Sequence, residues 1–288
     1  LRRSAEVGPE NVFDYSLGNP SIPAPQPVQQ ALLDVLYDTD PIQVHGYSMA
    51  GGFDGTRRAV AEDLTHRFGM TIRPEELFFT CGAAAALISV IRALTVSPDS
   101  EFVAIAPYFP EYLPFVESNG GKLVSVPADL DTFQISLDIL EAHLTSHTQA
   151  VLVNSPNNPT GVVYSRQTLE GLAELLRRKS TQFGHPIYLL SDEPYREILF
   201  SGVDAPYVAK YYPNTITCYS FSKSLSLPGE RIGYIIVPDE MEDSKRVMAA
   251  VNGAGRALGF VCAPVLFQRV AAMCADVPSD IAAYARNR

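Results

Sequence analysis

The sequence predicts an α/β fold, in which a mostly parallel central sheet carries helices on both faces. From about residue 75, short apolar runs alternate with longer amphipathic stretches, which is typical of parallel strands joined by helices. The chain has 288 residues, of which 47% are hydrophobic, so it can bury a large core. This length alone suggests about two domains.

Seven runs are predicted strands because they are short, apolar and rich in β-branched residues. In chain order they cover residues 77–80, 101–106, 122–126, 149–154, 187–192, 216–220 and 232–237. Between them, residues 82–94 and 166–179 have the length and pattern of helices. The second of these helices is amphipathic, so its apolar side is expected to pack on the sheet. That side consists of Leu169, Leu172, Leu175 and Leu176.

Both ends of the chain are expected to lie outside this alternation. Near the start, residues 17–27 contain several prolines, which predicts an extended arm and a helix that begins only at about Val28. Near the other end, Ser279 is the predicted N-cap of a helix that is still running at Arg288. We therefore expect more protein to follow this sequence.

The composition argues against two classes of partner. No apolar run approaches the ~18 residues that a membrane-spanning helix needs, and the first residues lack the apolar stretch of a secretory signal. We therefore expect no membrane association and a cytoplasmic protein. The net charge of −10 argues against nucleic acid, because phosphate backbones are bound mainly by Lys and Arg. A single phosphate in a local pocket is compatible with that charge.

Neither a metal site nor a disulfide is predicted. The four cysteines are scattered without a C-x-x-C pair, so they are interpreted as buried thiols. His143 and His147 are spaced i, i+4, but the residues around them predict a helix end that runs into a turn. No third ligand is nearby, so this pair does not indicate a metal.

Ligands of open parallel sheets bind at the carboxyl ends of the strands, so the residues that follow each strand are the candidates for function. The first strand is followed by CGAAAAL, where small residues let a ligand approach a helix N-terminus with free N–H groups. The fourth strand is followed by SPNNPTG, residues 155–161. Each stretch also has a purely structural interpretation. The small residues of CGAAAAL allow tight strand-to-helix packing, and SPNNPTG has the composition of a connecting turn.

Two later strand ends carry charged residues. Asp192 stands at the end of the fifth strand, in DEPY, where burial is expected, and a buried carboxylate needs a cationic or proton-bearing partner. The sixth strand runs into SFSKSLSLPGERIGY, which places Lys223 among four serines and Arg231 eight residues later. Alone, this stretch has the composition of a solvated loop.

One ligand satisfies these four strand ends together. Pyridoxal phosphate has an aldehyde that needs a lysine and a pyridine nitrogen that needs a carboxylate. Its phenolic oxygen needs hydrogen-bond donors, and its phosphate needs hydroxyl groups, backbone N–H groups and an arginine. The order and spacing of SPNNPTG, DEPY and SFSKSLSLPGERIGY resemble those of the class I/II aminotransferases, which are fold-type I pyridoxal phosphate enzymes. The resemblance runs from YSLGNP to the end of the chain.

The resemblance implies roles for the residues around the cofactor ring. Lys223 would form the Schiff base, and Asp192 would pair with the pyridinium nitrogen. Asn158 and Tyr195 would donate to the phenolic oxygen, and Phe109 would stack on the ring. Of these residues, Lys223, Asp192 and Tyr195 are the predicted catalytic ones.

The resemblance also implies how phosphate and substrate are held. The residues that would bind the phosphate through side chains or backbone N–H groups are Ser220, Ser222, Arg231, Gly82, Ala83 and Ala84. Tyr47 would reach the phosphate of the neighbouring subunit, which predicts a homodimer with shared active sites. Gly18 and Asn158 would contact the substrate, Gly18 at its carboxylate.

By the same resemblance, residues 45–276 would form the large pyridoxal phosphate-binding domain. Residues 1–44 would supply the N-terminal arm and part of a small domain, and residues 277–288 would begin the interdomain helix and a truncated C-terminal small domain. The family's arginine for the substrate α-carboxylate would lie beyond residue 288, so it is assigned to no residue here.

The implied activity is that of a transaminase, which moves the amino group of an L-amino acid to a 2-oxo acid by a ping-pong Schiff-base mechanism. Two alternatives stay open. A C–S β-lyase or another fold-type I enzyme would use the same cofactor residues. A pyridoxal phosphate-binding regulatory domain would need an appended basic helix-turn-helix, and this acidic sequence contains none.

Overall fold

A computed structural model describes residues 2–12, 18–200 and 202–287. Within these ranges, seven strands form one sheet. They are β1 (Leu77–Thr80), β2 (Glu101–Ala106), β3 (Lys122–Pro127), β4 (Thr148–Asn154), β5 (Tyr188–Asp192), β6 (Thr215–Ser220) and β7 (Gly233–Ile236).

The described residues also form α-helices around the sheet. The first six are α1 (Arg2–Val7), α2 (Gln26–Asp38), α3 (Pro41–His45), α4 (Asp54–Phe68), α5 (Gly82–Leu94) and α6 (Tyr112–Glu117). The later ones are α7 (Leu137–His143), α8 (Arg166–Phe183), α9 (Phe221–Ser224), α10 (Ser244–Ala257), α11 (Val265–Met273) and α12 (Ile281–Asn287). Among the residues described, no helix is both long and apolar enough to cross a membrane.

The sheet is mostly parallel, as predicted. Its strand order is β1-β7-β6-β5-β4-β2-β3. β7 runs antiparallel to both of its neighbours, β1 and β6, and the pairs from β6 to β3 are all parallel. The carboxyl ends of β1, β4, β5 and β6 therefore lie at one edge of the sheet.

Alternate residues of each strand point to opposite faces of the sheet. Apolar residues lie on both faces, and helices cover both of them. Leu152 of β4 packs in a cluster with Leu87 of α5 and Val251 of α10. The preceding residue, Val151, packs on the other face with α7 and α8. Farther along that second face, α2, α4 and α11 pack on β1, β6 and β7. The predicted apolar side of α8 is buried, as expected.

Each predicted strand coincides with an observed one to within one residue at either end. The predicted start of α2 is wrong by two residues, since the helix begins at Gln26 rather than near Val28. Pro27 lies in its first turn, where a helix needs no N–H donor and the fixed φ of proline already suits the helix.

The predicted N-cap at Ser279 is wrong. The side chain of Asp280 accepts the N–H of Ala283 at 2.8 Å and therefore caps α12. The hydroxyl of Ser279 donates instead to the carbonyl oxygen of Ser224 at 2.9 Å. The N-cap of α12 is therefore Asp280, one residue later than predicted. The Ser279 side chain makes a long-range contact instead.

The interpretation of all four cysteines as buried thiols is partly wrong. Cys218 and Cys274 are buried, but Cys81 and Cys262 are only partly buried. Both lie close to the carboxyl edge of the sheet, where the Sγ of Cys81 is 3.8 Å from the carbonyl oxygen of Cys262. The four are free thiols in the structure.

The junction of β6, β7 and α5 requires a glycine at position 233. A Cβ there would overlap the carbonyl oxygen of Tyr219 and lie 3.0 Å from the Cα of Gly82. Both obstacles are backbone atoms, which cannot rotate away. We expect Gly233→Ala to lower the free energy of unfolding by about 1 to 3 kcal/mol, measured by urea denaturation.

Gly253→Ala is the matched control. Gly253 is an exposed residue inside α10, and a Cβ there would meet nothing within 4 Å. This variant should be more stable than the wild type by up to about 1 kcal/mol. Equal effects of the two substitutions would contradict the packing described for Gly233.

Candidate active site

The buried carboxylate of Asp192 lies at the centre of the carboxyl edge. It is the last residue of β5 and pairs with Asn154 of β4 and Cys218 of β6. Asp192 is 4% exposed. One oxygen, Oδ2, accepts a hydrogen bond from the Tyr112 hydroxyl at 2.7 Å. The other, Oδ1, is buried and has no hydrogen-bond partner among the residues that the structure describes.

This environment alters the acidity of the carboxyl group. Burial raises the pKa of Asp192 to about 7, the Tyr112 hydrogen bond opposes that rise, and the charge of Glu193 adds to it. A buried oxygen without a donor costs free energy. Oδ1 is therefore suited to a ligand that brings an N–H group, and above all a cationic one.

Tyr112 and Asn154 were missed by the sequence analysis. Tyr112 is 1% exposed, and burial and the neighbouring Asp192 raise its pKa, so it remains a neutral donor. The only sequence signal for Tyr112 is its place three residues after Phe109. Asn154 is the last residue of a predicted strand, in the same position as Asp192 one strand away.

Asn154 connects two of the predicted site residues. Its amide donates to the backbone carbonyl of Asp192 at 2.8 Å, and its side-chain oxygen accepts the N–H of Asn158 at 2.6 Å. Asn158 in turn shares a side-chain hydrogen bond with Tyr195. Burial raises the pKa of the Tyr195 hydroxyl, and the Asn158 bond works against this. Amide and phenol donors are thereby held together beside the carboxylate.

Lys223 lies on the one-turn helix α9, directly after β6. Its side chain is partly buried, and this burial lowers its pKa, with a further contribution from the nearby charge of Arg231. The Nζ donates to the carbonyl oxygen of Gly18 in the N-terminal arm. The arm glycine and the lysine, predicted separately, are therefore in direct contact.

The start of α5 forms a cradle for an anion. The helix begins at Gly82, and none of the described side chains caps it. Gly82 has a φ of 82°, and a Cβ on it would lie only 3.0 Å from Nη2 of Arg231. The glycine thus lets the guanidinium lie against a helix N-terminus whose free N–H groups include those of Ala83 and Ala84.

Two buried serines lie beside this cradle. Ser220 and Ser222 are 3% and 8% exposed. The Oγ of Ser220 accepts the N–H of Ser222 at 3.1 Å and is 2.7 Å from the Ser222 Oγ. Arg231 is held by a bond from its Nη1 to the carbonyl oxygen of Pro228, at 2.7 Å. Hydroxyl groups, backbone N–H groups and one arginine therefore converge, as phosphate binding requires.

Phe109 and Tyr47 complete the set of predicted site residues. Phe109 is partly buried and packs edge-on against Tyr112, with ring centroids 5.7 Å apart, so it lies next to the donor of Asp192. Tyr47 is 85% exposed, so this chain does not bury it in its own site. The structure thus brings the predicted residues to one edge, apart from Tyr47.

Comparison with known protein families gives an independent result. The family model for aminotransferase class I and II matches residues 10–287. An aspartate aminotransferase from Thermotoga maritima is 32% identical over 246 residues, which cover 84% of this chain and 61% of that protein. An arginine–pyruvate transaminase from Pseudomonas aeruginosa is 31% identical over 232 residues, or 80% of this chain and 56% of that protein. The chain thus spans less than two thirds of these curated relatives.

Solved structures show the same likeness. An aminotransferase from Eubacterium rectale matches with a TM-score of 0.96 and 52% identity, over 99% of this chain and 72% of that one. An aspartate aminotransferase from Thermotoga maritima matches with a TM-score of 0.83 and 29% identity, over 99% of this chain and 71% of that one. Both matches therefore cover nearly the whole of this chain.

The raised pKa of Asp192 predicts a specific pH dependence of stability in the cofactor-free protein. Between the ordinary pKa of 3.8 and the folded value of about 7, the folded protein keeps a proton that the unfolded chain has lost. Raising the pH through this window therefore destabilises the fold, by at most about 1.4 kcal/mol per pH unit for one proton. Asp192→Asn should not show this loss, so its stability relative to wild type should rise from pH 4 to pH 7. Urea denaturation at several pH values measures the difference.

Asp99→Asn is the control, because the Lys122 hydrogen bond lowers the pKa of the exposed Asp99. That bond stabilises the fold above the ordinary pKa, and its contribution is lost as the pH falls, which is the opposite sign. A constant stability difference between Asp192→Asn and wild type across the pH range would contradict the burial argument.

Proposed function

Because the chain belongs to the aminotransferase class I and II family, we propose that it binds pyridoxal phosphate and transfers amino groups from an L-amino acid to a 2-oxo acid. The observation that carries this proposal is the unpaired Oδ1 of Asp192, buried at the edge that also presents Lys223. A protonated pyridine nitrogen would supply the missing donor.

The residues at this edge fit the remaining groups of the cofactor. The phosphate would be held by the cradle at Gly82 and Arg231, with the hydroxyl groups of Ser220 and Ser222 beside it. The phenolic oxygen would accept from Asn158 and Tyr195, and the ring of Phe109 would cover the cofactor. When bound, pyridoxal phosphate supplies an aldehyde that condenses with amines and a protonated ring that withdraws electrons from the substrate α-carbon.

The chemistry of the chain's own residues is consistent with this reaction. The lowered pKa of Lys223 increases the share of neutral amine, which is the form that attacks an aldehyde and the form that takes a proton from the substrate α-carbon. The carboxylate of Asp192 would accept the N–H of the cofactor ring at Oδ1. The raised pKa of Tyr195 keeps its hydroxyl group protonated as a donor.

The curated relatives differ in the substrates for which they are named. Relatives of similar identity are named for aspartate in one case and for arginine and pyruvate in the other. We place Gly18 and Asn158 at the substrate, because Gly18 already contacts the reactive Nζ and Asn158 lies beside Tyr195.

We also propose a homodimer whose active sites are shared. Tyr47 and Met49 are 85% and 80% exposed. Residues 48–53 are nevertheless held in place, because the buried amide of Gln268 donates to the Ser48 hydroxyl and accepts the N–H of Phe53. A rigid segment that presents a large aromatic ring to solvent suits a contact with a second subunit.

The first test is to trap the lysine-bound cofactor. The protein incubated with pyridoxal phosphate should show the visible absorption band of the bound aldehyde, and borohydride reduction should fix the cofactor to Lys223, as located by peptide mass spectrometry. Lys223→Ala should lose both signals. Asp192→Asn should bind the cofactor but transfer amino groups at least about a hundredfold more slowly, because it lacks the charge that keeps the ring protonated.

A donor labelled with ¹⁵N distinguishes the remaining activities. A transaminase places the label in the amino acid made from the 2-oxo acid acceptor, whereas a β-lyase releases it as ammonia. A band that forms at Lys223 but responds to no amino acid would favour the regulatory domain. Absence of the band, with cofactor in excess, would overturn the assignment of Lys223.

Mixing two variants tests the shared sites. Tyr47→Phe should weaken cofactor retention roughly tenfold, since it removes one hydrogen bond to a charged phosphate. If Tyr47 acts on the partner's site, a mixture with Lys223→Ala should recover tight binding, because one site of each mixed dimer is then intact. Arg231→Ala mixed with Lys223→Ala is the control and should not recover, because both residues belong to the same chain's site. Equal behaviour of the two mixtures would contradict shared sites.

A further inference from the structure

The helix that carries Lys223 is too short to satisfy its own carbonyl groups. α9 has four residues, and a helix leaves its last carbonyl oxygens without intrahelical donors. The carbonyl of Phe221 accepts the N–H of Leu225 at 3.2 Å. The carbonyl oxygens of Lys223 and Ser224, at the end of this helix, need donors from outside it.

Those donors come from the region of α12. The hydroxyl of Tyr284 donates to the carbonyl oxygen of Lys223 at 2.9 Å, and the hydroxyl of Ser279 donates to that of Ser224, also at 2.9 Å. α12 does not need Ser279 for its own start, because Asp280 is its cap. The two hydroxyl groups therefore form a C-terminal cap on α9 that is supplied from 55 and 61 residues away.

α12 is also linked to the amine of Lys223, through two hydrogen bonds that involve the N-terminal arm. Asn287 of α12 donates to the Oγ of Ser21 at 2.8 Å, and three residues earlier in the arm the carbonyl of Gly18 accepts from Nζ of Lys223. Both the backbone and the amine of Lys223 are thus connected to α12.

We propose that Tyr284 and Ser279 are positioning residues for Lys223, whose hydroxyl groups cap α9 and fix the place of the lysine amine. The catalytic meaning of this cap rests on the proposed function, but the cap itself is a property of the chain. Neither residue contacts the reacting groups, and both act through the backbone of α9.

Loss of the cap should change the environment of the amine. Burial lowers the pKa of Lys223, and Arg231 lowers it further. A loosened α9 would let Nζ spend more time in water and farther from Arg231, so the pH at which the amine becomes reactive should rise. The hydroxyl of Tyr284 stays protonated in this range, because burial raises its own pKa, and it adds no charge.

The experiment measures the pH midpoint of Lys223 acetylation by trace acetic anhydride, read by peptide mass spectrometry on the full chain without added cofactor. Tyr284→Phe and Ser279→Ala should each raise this midpoint, by roughly half a pH unit for one lost hydrogen bond. Ser279→Thr keeps a hydroxyl group and should restore the wild-type midpoint. With pyridoxal phosphate, the two loss variants should also attach the cofactor to Lys223 more slowly.

Tyr212→Phe is the matched control. Tyr212 is a buried residue, at 1% exposure, and its hydroxyl donates to the backbone carbonyl of Ile187 at 2.8 Å. Its loss should cost comparable stability and leave the Lys223 midpoint unchanged.

An unchanged midpoint in Tyr284→Phe and Ser279→Ala, or an equal shift in Tyr212→Phe, would overturn the proposal. If Tyr284→Phe does not fold, the comparison of Ser279→Ala with Ser279→Thr decides alone. Failure of the cofactor to attach to wild-type Lys223 would count against the proposed function only, because acetylation is measured without it.

Discussion

The candidate site depends on the buried carboxylate of Asp192, for which the hydroxyl of Tyr112 is the one donor among the described side chains. Asp192 owes its place to the parallel sheet, since the end of a central strand is covered by neighbouring strands on both sides. Tyr112 satisfies one oxygen without fixing the charge. A cation from the same chain would have held the carboxylate ionised permanently. With a phenol instead, its charge state depends on what binds at Oδ1, so the site favours a ligand that brings a proton and a positive charge.

The next residue, Glu193, is a buried carboxylate that has its hydrogen-bond partners within the chain's own fold, in Arg196 and Ser191. Glu193 is 2% exposed and points to the opposite face of the sheet. It accepts from Arg196 at 3.0 Å and from the Ser191 hydroxyl at 2.7 Å. Arg196 is itself buried and lies 4.2 Å above the ring of Tyr219. Two adjacent acids at one strand end thus differ: Glu193 is paired with Arg196 and Ser191, whereas Oδ1 of Asp192 has no hydrogen-bond partner among the described residues.

Much of this arrangement could be predicted because its signals are local. The strands are short apolar runs with clear ends, and the residues at or just after these ends, such as Asp192 and Lys223, are brought together by the parallel topology. Tyr112 could not be predicted, because it lies 80 residues from Asp192 and looks like any core aromatic residue in sequence. Ser279 was misassigned for a related reason. A serine before a helix can cap that helix or donate to a residue far away in the sequence. Only the three-dimensional path of the chain shows which of the two hydrogen bonds forms.

The contact between Gly18 and Lys223 links the arm to the chemistry of the amine. A neutral amine has one lone pair and two N–H donors, so Nζ can keep its hydrogen bond to the Gly18 carbonyl while its lone pair is free to attack. The bond then restricts rotation about the Cε–Nζ bond and limits the directions in which the lone pair can point. A protonated amine would also keep this bond but would have no lone pair. The arm therefore restricts the orientation of the amine, and the lowered pKa of Lys223 favours its neutral form, so the two effects act on the same atom from different parts of the sequence.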